Sequence, residues 1–193
     1  MTDRIRVVLA LTGASGAALG MRIAERLAAR GDVATQLVVS GAAKRTLAHE
    51  IGPNAWHELA DRAETVHLAE DIGSTIASGS FRTAGMIVAP CSMRTLAAIA
   101  SGLSDNLVTR AADVHLKERR RLLLLARETP LHLGHLRNMV AATEMGAIVM
   151  PPVPAFYQKP QSLADVIDHL AARAIDMLGL PGAGAAAEWD GKA

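Results

Sequence analysis

Five short segments concentrate the residue types that handle anions: Thr12-Gly13-Ala14-Ser15-Gly16, Ser40-Gly41, Pro90-Cys91-Ser92-Met93-Arg94-Thr95, Arg127-Glu128-Thr129-Pro130 and Pro151-Pro152. Small residues, hydroxyls and arginines suit a phosphate, because backbone N–H groups at helix N-termini and hydroxyl donors point at the charge. The first segment lacks the full Gly-x-Gly-x-x-Gly spacing, and no acidic residue closes the apolar run before Ser40. That combination points to a mononucleotide such as FMN rather than a dinucleotide. Any one of these loops, taken alone, is equally well explained as a tight turn from strand to helix.

Other candidates are weaker. Arg110, Asp113 and Lys117 recur at spacings of three and seven, which puts them on one side of a helix. Spacing alone reads them as a solvated charged face. Arg127-Glu128 differs, because a charged pair directly after an apolar run has no packing purpose; its carboxyl suits proton transfer, with a pKa tuned by burial beside positive charge. His132 and His135 lie one turn apart without a carboxylate to complete a metal site. Cys91 has no base beside it in sequence and reads as a small buried thiol. Glu50 reads as an acid closing a helix on the surface.

The elements that must position these loops are legible in the apolar runs. Ile5 to Leu11, Val33 to Val39, Gly85 to Ala89, Arg121 to Leu125 and Ala147 to Met150 are near-continuous apolar segments, the pattern of parallel strands buried on both faces. Thr65 to Leu68 is a weaker sixth. Between them, Ala17 to Ala29, Ala42 to His49, Thr95 to Ser101, Leu107 to Glu118, His132 to Thr143 and Leu163 to Leu178 read as helices. The last has Ser162 as N-cap, with Gly179 and Pro181 to stop it. Alternating elements of this kind predict an α/β fold, a three-layer αβα sandwich around a parallel sheet, whose ligands bind beyond the carboxyl ends of the strands. All five loops lie there.

The 193 residues fit one domain, with 1–180 as its body and 181–193 as a flexible C-terminal arm. Twenty Lys and Arg against nineteen Asp and Glu leave +1, without a basic stripe, which argues against nucleic acid. No apolar stretch reaches the roughly 20 residues of a membrane helix. A single cysteine excludes an internal disulfide and fits a cytoplasmic protein. Only five residues are aromatic, so aliphatic side chains build the core, and the large apolar content favours faces buried between subunits.

In order and spacing the chain resembles the flavin prenyltransferases, the UbiX/Pad family. The resemblance rests on Thr12-Gly13-Ala14-Ser15-Gly16-Ala17, Ser78-Gly79-Ser80-Phe81, Pro90-Cys91-Ser92, Arg110-Ala111-Ala112-Asp113-Val114, Leu116-Lys117-Glu118-Arg119-Arg120, Arg127-Glu128-Thr129-Pro130 and Pro154-Ala155-Phe156-Tyr157, and covers nearly the whole length. It implies a Rossmann-like or flavodoxin-like fold, a homododecamer with FMN between subunits, and no metal. The implied reaction carries a dimethylallyl group from dimethylallyl monophosphate to reduced FMN, at N5 and then C6, giving prenylated FMN for a UbiD-type decarboxylase. It places FMN contacts on Gly13, Ala14, Ser15, Ser40, Ser92, Met93, Arg94, Thr95 and Arg127. Allyl phosphate contacts fall on Arg110, Lys117, Tyr157 and Arg173, with Trp189 as a cover, and catalytic positions on Ser15, Glu50, Lys117 and Glu128. Gln158, Lys159 and Arg121 depart from the family's common residues. FMN-dependent cysteine decarboxylases of similar fold need a histidine soon after the first helix, and Ala29 to Ser40 contains none. A flavin carrier without catalysis would need only the FMN loops.

Overall fold

The structure is a computed structural model that describes residues 4–182, 184–187 and 191. Among these residues six strands, β1 (Ile5–Leu11), β2 (Val33–Val39), β3 (Thr65–His67), β4 (Gly85–Cys91), β5 (Arg121–Ala126) and β6 (Ile148–Val149), form one sheet in the order β3-β2-β1-β4-β5-β6. Every pairing is parallel. Seven helices cover its faces: α1 (Ala17–Ala29), α2 (Gly41–Glu50), α3 (Ala55–Ala60), α4 (Met93–Ala100), α5 (Leu107–Lys117), α6 (Leu133–Glu144) and α7 (Leu163–Asp176). This is the expected three-layer αβα sandwich, with the strand order reversing between β1 and β4.

The apolar runs explain the layers. Along β1 the side chains alternate between two cores, Val7, Leu9 and Leu11 joining α1, α2, α3 and α7 on one face. Val8 and Ala10 join α4 and α5 on the other. Both cores are almost wholly aliphatic. Gly20 lets α1 settle onto the sheet: a Cβ there would lie 2.5 Å from the Ala89 carbonyl oxygen and 2.7 Å from Leu11 Cδ2. Any side chain at this position would lift the helix off the strands.

Element ends depart from the sequence expectation in physical ways. β4 runs on to Cys91 despite Pro90, whose missing N–H falls where the β4–β5 register shifts between Val88 and Cys91. The helix α3 was not expected; it is six residues long and buries only Ala55 and Leu59, too little to establish a helical period. Arg121 docks on the end of α7, donating to the Met177 carbonyl oxygen, as suits a cation at a helix C-terminus. The described part of the C-terminal arm is tied down rather than loose. Arg30 donates to Pro181 O at 2.6 Å, and the Ala186 N–H donates to Asp176 at 3.1 Å. Trp189 lies outside the described residues.

Candidate functional site

The loops after β1, β2 and β4 meet at the carboxyl edge of the sheet. Thr12 fastens two of them: its hydroxyl donates to Pro90 O at 2.8 Å and accepts from the Ser92 N–H at 2.8 Å. This buried link spans the switch point between β1 and β4. Ser40 caps α2 by accepting from the Ala43 N–H at 3.2 Å, and Ser92 caps α4 by accepting from the Thr95 N–H at 3.3 Å. Between these helix starts lies a cavity of about 350 Å³, lined by Gly13, Ser40, Ser92, Arg94, Thr95 and Asn106. Gly13 is required at its wall, since a Cβ would sit 2.5 Å from that of Ala42. Met93 opens α4 and packs partly into the second core, and Ala14 is buried beside the cavity.

The start of α1 is arranged differently. Gly16, at φ 112° in a conformation that other residues rarely adopt, turns the chain into the helix. Its N–H and that of Ala17 donate to the Glu50 carboxylate, at 2.9 and 2.8 Å. Burial pushes the Glu50 carboxyl up. The Ser15 hydroxyl, these two N–H groups and the Arg127 guanidinium outweigh burial and hold it below the ordinary value. An anion from the chain itself therefore occupies the α1 N-terminus, leaving the α2 and α4 ends for a ligand phosphate. Glu50 is no idle helix-end acid, and Ser15, Glu50 and Arg127 form one cluster.

Glu128 follows this cluster but is exposed, and its carboxylate accepts from the Thr129 N–H at 3.0 Å. The burial expected of it from sequence is therefore not found within the single chain. Cys91 is fully buried, with its thiol pushed up to about 12 by that burial, so it is the inert thiol expected. His132 caps α6 by accepting from the Gly134 N–H at 3.0 Å and stacks on His135 at 3.6 Å. Among the described residues no group of His, Cys, Asp and Glu is placed to hold a metal.

None of the remaining sequence candidates lines the cavity. Arg110, Asp113 and Lys117 share α5, where Arg110 pairs with Asp113 at 2.8 Å and Lys117 pairs with Glu118. Lys117 ends α5 at the amino edge of the sheet, just before β5 begins. Arg173 lies near the end of α7, over the other core, in a 520 Å³ cleft shared with Tyr157 and Arg30. The ring of Tyr157 meets His169 edge-on at 6.5 Å. One chain thus presents three separate patches: the carboxyl-edge cavity, the α5 face and the α7 face. Sequence reasoning missed Thr12 as a tie, Asn106 in the cavity wall, and Asp105, which pairs with Arg94. Asn106 was findable, because Asn-x-x-Thr before an apolar helix is a capping signature, and both of its capping hydrogen bonds form.

A parallel sheet reversing at β1/β4, with hydroxyl-capped helices around the cavity there, defines an α/β protein built to hold a phosphorylated ligand. The Flavoprotein family matches this chain over residues 1–175. A flavin prenyltransferase UbiX of Neisseria meningitidis serogroup B is 52% identical over 188 residues, covering 97% of this chain and 98% of that one. A solved UbiX in complex with FMN and dimethylallyl pyrophosphate superposes with a TM-score of 0.90 at 47% identity, over 98% of this chain and all of the other. A dodecameric FMN-dependent UbiX-like decarboxylase of Escherichia coli O157:H7 gives 0.89 at 45% identity, over 96% of this chain and all of that one. The chain belongs to the Flavoprotein family, among the UbiX-type flavin prenyltransferases.

Proposed function

We propose that the protein transfers a dimethylallyl group from dimethylallyl monophosphate to reduced FMN, and that the prenylated flavin serves a UbiD-type decarboxylase. The carboxyl-edge cavity carries the reading. Its donors are hydroxyls, helix N–H groups and Arg94, a set suited to a flavin phosphate, and the Gly13 wall admits nothing larger than hydrogen at that point. Gly13, Ala14, Ser15, Ser40, Ser92, Met93, Arg94, Thr95 and Arg127 would hold FMN. Bound and reduced, FMN supplies the nucleophiles, N5 and then C6.

This chain's residues prepare the reaction from both ends. The Glu50 carboxylate, held ionised, accepts a hydrogen bond from the Ser15 hydroxyl and leaves that oxygen's lone pairs to accept from a flavin N–H. As the allylic C–O bond breaks, its electron pair leaves with the phosphate. Arg110, Lys117, Arg173 and the Tyr157 hydroxyl stabilise that departing charge, each lost donor costing ~2–4 kcal/mol of transition-state stabilisation. Glu128 moves a proton between phosphate and flavin. These groups lie on three patches of one chain, so the complete site is assembled between protomers in a homododecamer. Exposed Leu133, Leu136 and Val140 on α6, with Phe156 and Leu163, supply apolar surface for such contacts.

The test is anaerobic incubation of the purified protein with reduced FMN and dimethylallyl monophosphate, followed by mass spectrometry of the extracted flavin. A flavin heavier by one five-carbon unit is expected. FMN bound yet unmodified, beside an active control enzyme, would refute transfer and favour a flavin carrier.

A further inference from the structure

The Ser78-Gly79-Ser80-Phe81 loop leads into β4 at the amino edge of the sheet and lies against the end of α5. Arg120 clamps it there. Its guanidinium donates to Phe81 O at 2.9 Å, to Gly79 O, and to the Thr83 hydroxyl at 3.4 Å. Thr83 is in turn 2.8 Å from His115 Nε2, while His115 Nδ1 lies 2.7 Å from the Ala111 carbonyl oxygen. The carbonyl must accept, so Nδ1 carries the proton and the Thr83 hydroxyl donates to Nε2. Burial holds the His115 pKa down at about 4, which keeps this ring neutral and the arrangement fixed at ordinary pH. Arg6 adds a second hold, its guanidinium 4.8 Å from the centre of the Phe81 ring.

The clamp bears on Lys117. A Cβ at Gly79 would lie 2.7 Å from Lys117 Nζ and closer still to the Glu118 carboxylate, so the clamped loop backbone forms a wall against which the ammonium, paired with Glu118, rests. Arg119, at φ 57°, turns the chain out of α5 so that Glu118 and Arg120 both reach this loop. The half-buried Arg120 touches no part of the carboxyl-edge cavity.

We infer that Arg120 is a positioning residue for the allyl phosphate, acting through the Gly79–Phe81 loop to set the Lys117 ammonium. This rests on the reading above that Lys117 binds that phosphate. Three carbonyl and hydroxyl acceptors around one planar donor ask for a guanidinium, and a lysine ammonium in its place meets only part of the set.

The experiment compares Arg120→Gln, Arg120→Lys, Gly79→Ala and Lys117→Ala in the full-length oligomer. It measures KM for dimethylallyl monophosphate, kcat, the FMN dissociation constant and the thermal midpoint. Arg120→Gln should raise KM by roughly tenfold with FMN affinity unchanged within twofold, and Arg120→Lys should recover part of that loss. Gly79→Ala keeps the clamp but pushes the ammonium aside, so it should reproduce the KM effect and decides the matter if Arg120→Gln does not fold. In the Lys117→Ala background the Arg120→Gln effect on KM should vanish. A fall in FMN affinity and thermal midpoint parallel to the KM change, or an additive double variant, would reduce Arg120 to a structural role and overturn the inference. If Lys117→Ala itself leaves KM unchanged, the assignment of Lys117 fails instead.

Discussion

Two carboxylates close to the loops do different work because their surroundings differ. Glu50 is fixed by two backbone N–H groups, the Ser15 hydroxyl and Arg127, and remains ionised below its ordinary range. It therefore cannot deliver a proton near neutrality, and the role proposed for it is to orient Ser15. Glu50→Gln removes the charge that fixes Ser15. Turnover should fall by roughly 10–100-fold while FMN affinity stays within about threefold, because the α2 and α4 caps are untouched. A fluorescence titration of FMN beside the prenylation rate checks the split. Glu128 is exposed and accepts from the N–H of its own neighbour Thr129, and the proton path proposed above runs through it. Glu128→Gln should keep FMN binding and lose turnover; unchanged turnover would remove it from the proton path.

At the scale of elements, α7 is locked to α1 by one carboxylate. Asp168 accepts from Arg26 Nε at 2.8 Å and Nη2 at 2.6 Å, and from Arg22 Nε at 2.6 Å. Arg26, then Arg22, draws its pKa from 3.8 to about 2. A depressed carboxylate stabilises the fold fully above its unfolded pKa, and that contribution drains away as pH falls from about 4 to about 2. The side chain is 35% exposed, so solvent screening reduces its worth. Asp168→Asn should cost about 1 kcal/mol by denaturant unfolding at pH 7, with the difference closing in acid. Buried His115 follows the opposite course. Its pKa is about 4 when folded and 6.5 when unfolded, so acid favours the unfolded chain, and stability should decline from about pH 6.5 down to 4. His115→Gln should flatten that stretch of the profile.

These elements also mark what sequence could tell. β1, β2 and α1 were legible to the residue, because a strand buried on both faces and a 13-residue amphipathic helix write long, uninterrupted signals. The carboxyl-edge loops followed, since topology alone sends them there. The capture of the α1 N-terminus by Glu50 was not legible, as it joins groups 33 and 34 residues apart through a packing of α2 that no local pattern encodes. Nor could spacing show that Lys117 and Arg173 face opposite ways from the sheet.

At the scale of the whole molecule, that last separation makes a test. Residues of α5 pack into one core and those of α7 into the other, so the six-stranded sheet stands between Lys117 and Arg173 of the same chain. Side chains of this length cannot round a sheet whose helical layers each stand about 10 Å from it. If one phosphate meets both residues, they come from different protomers, and each protomer lends its α5 face to one site and its α7 face to another. Lys117→Ala and Arg173→Ala homo-oligomers should then both be impaired. A co-expressed 1:1 mixture, assembling at random, should regain about a quarter of its sites, because a site is whole only where its α5 donor is the Arg173 variant and its α7 donor the Lys117 variant. The prenylation rate of the purified hybrid, compared with the average of the two parents, reads the outcome. A rate no higher than that average would mean that the two residues do not act on one phosphate across an interface, and the assembled site would have to be redrawn around a single chain.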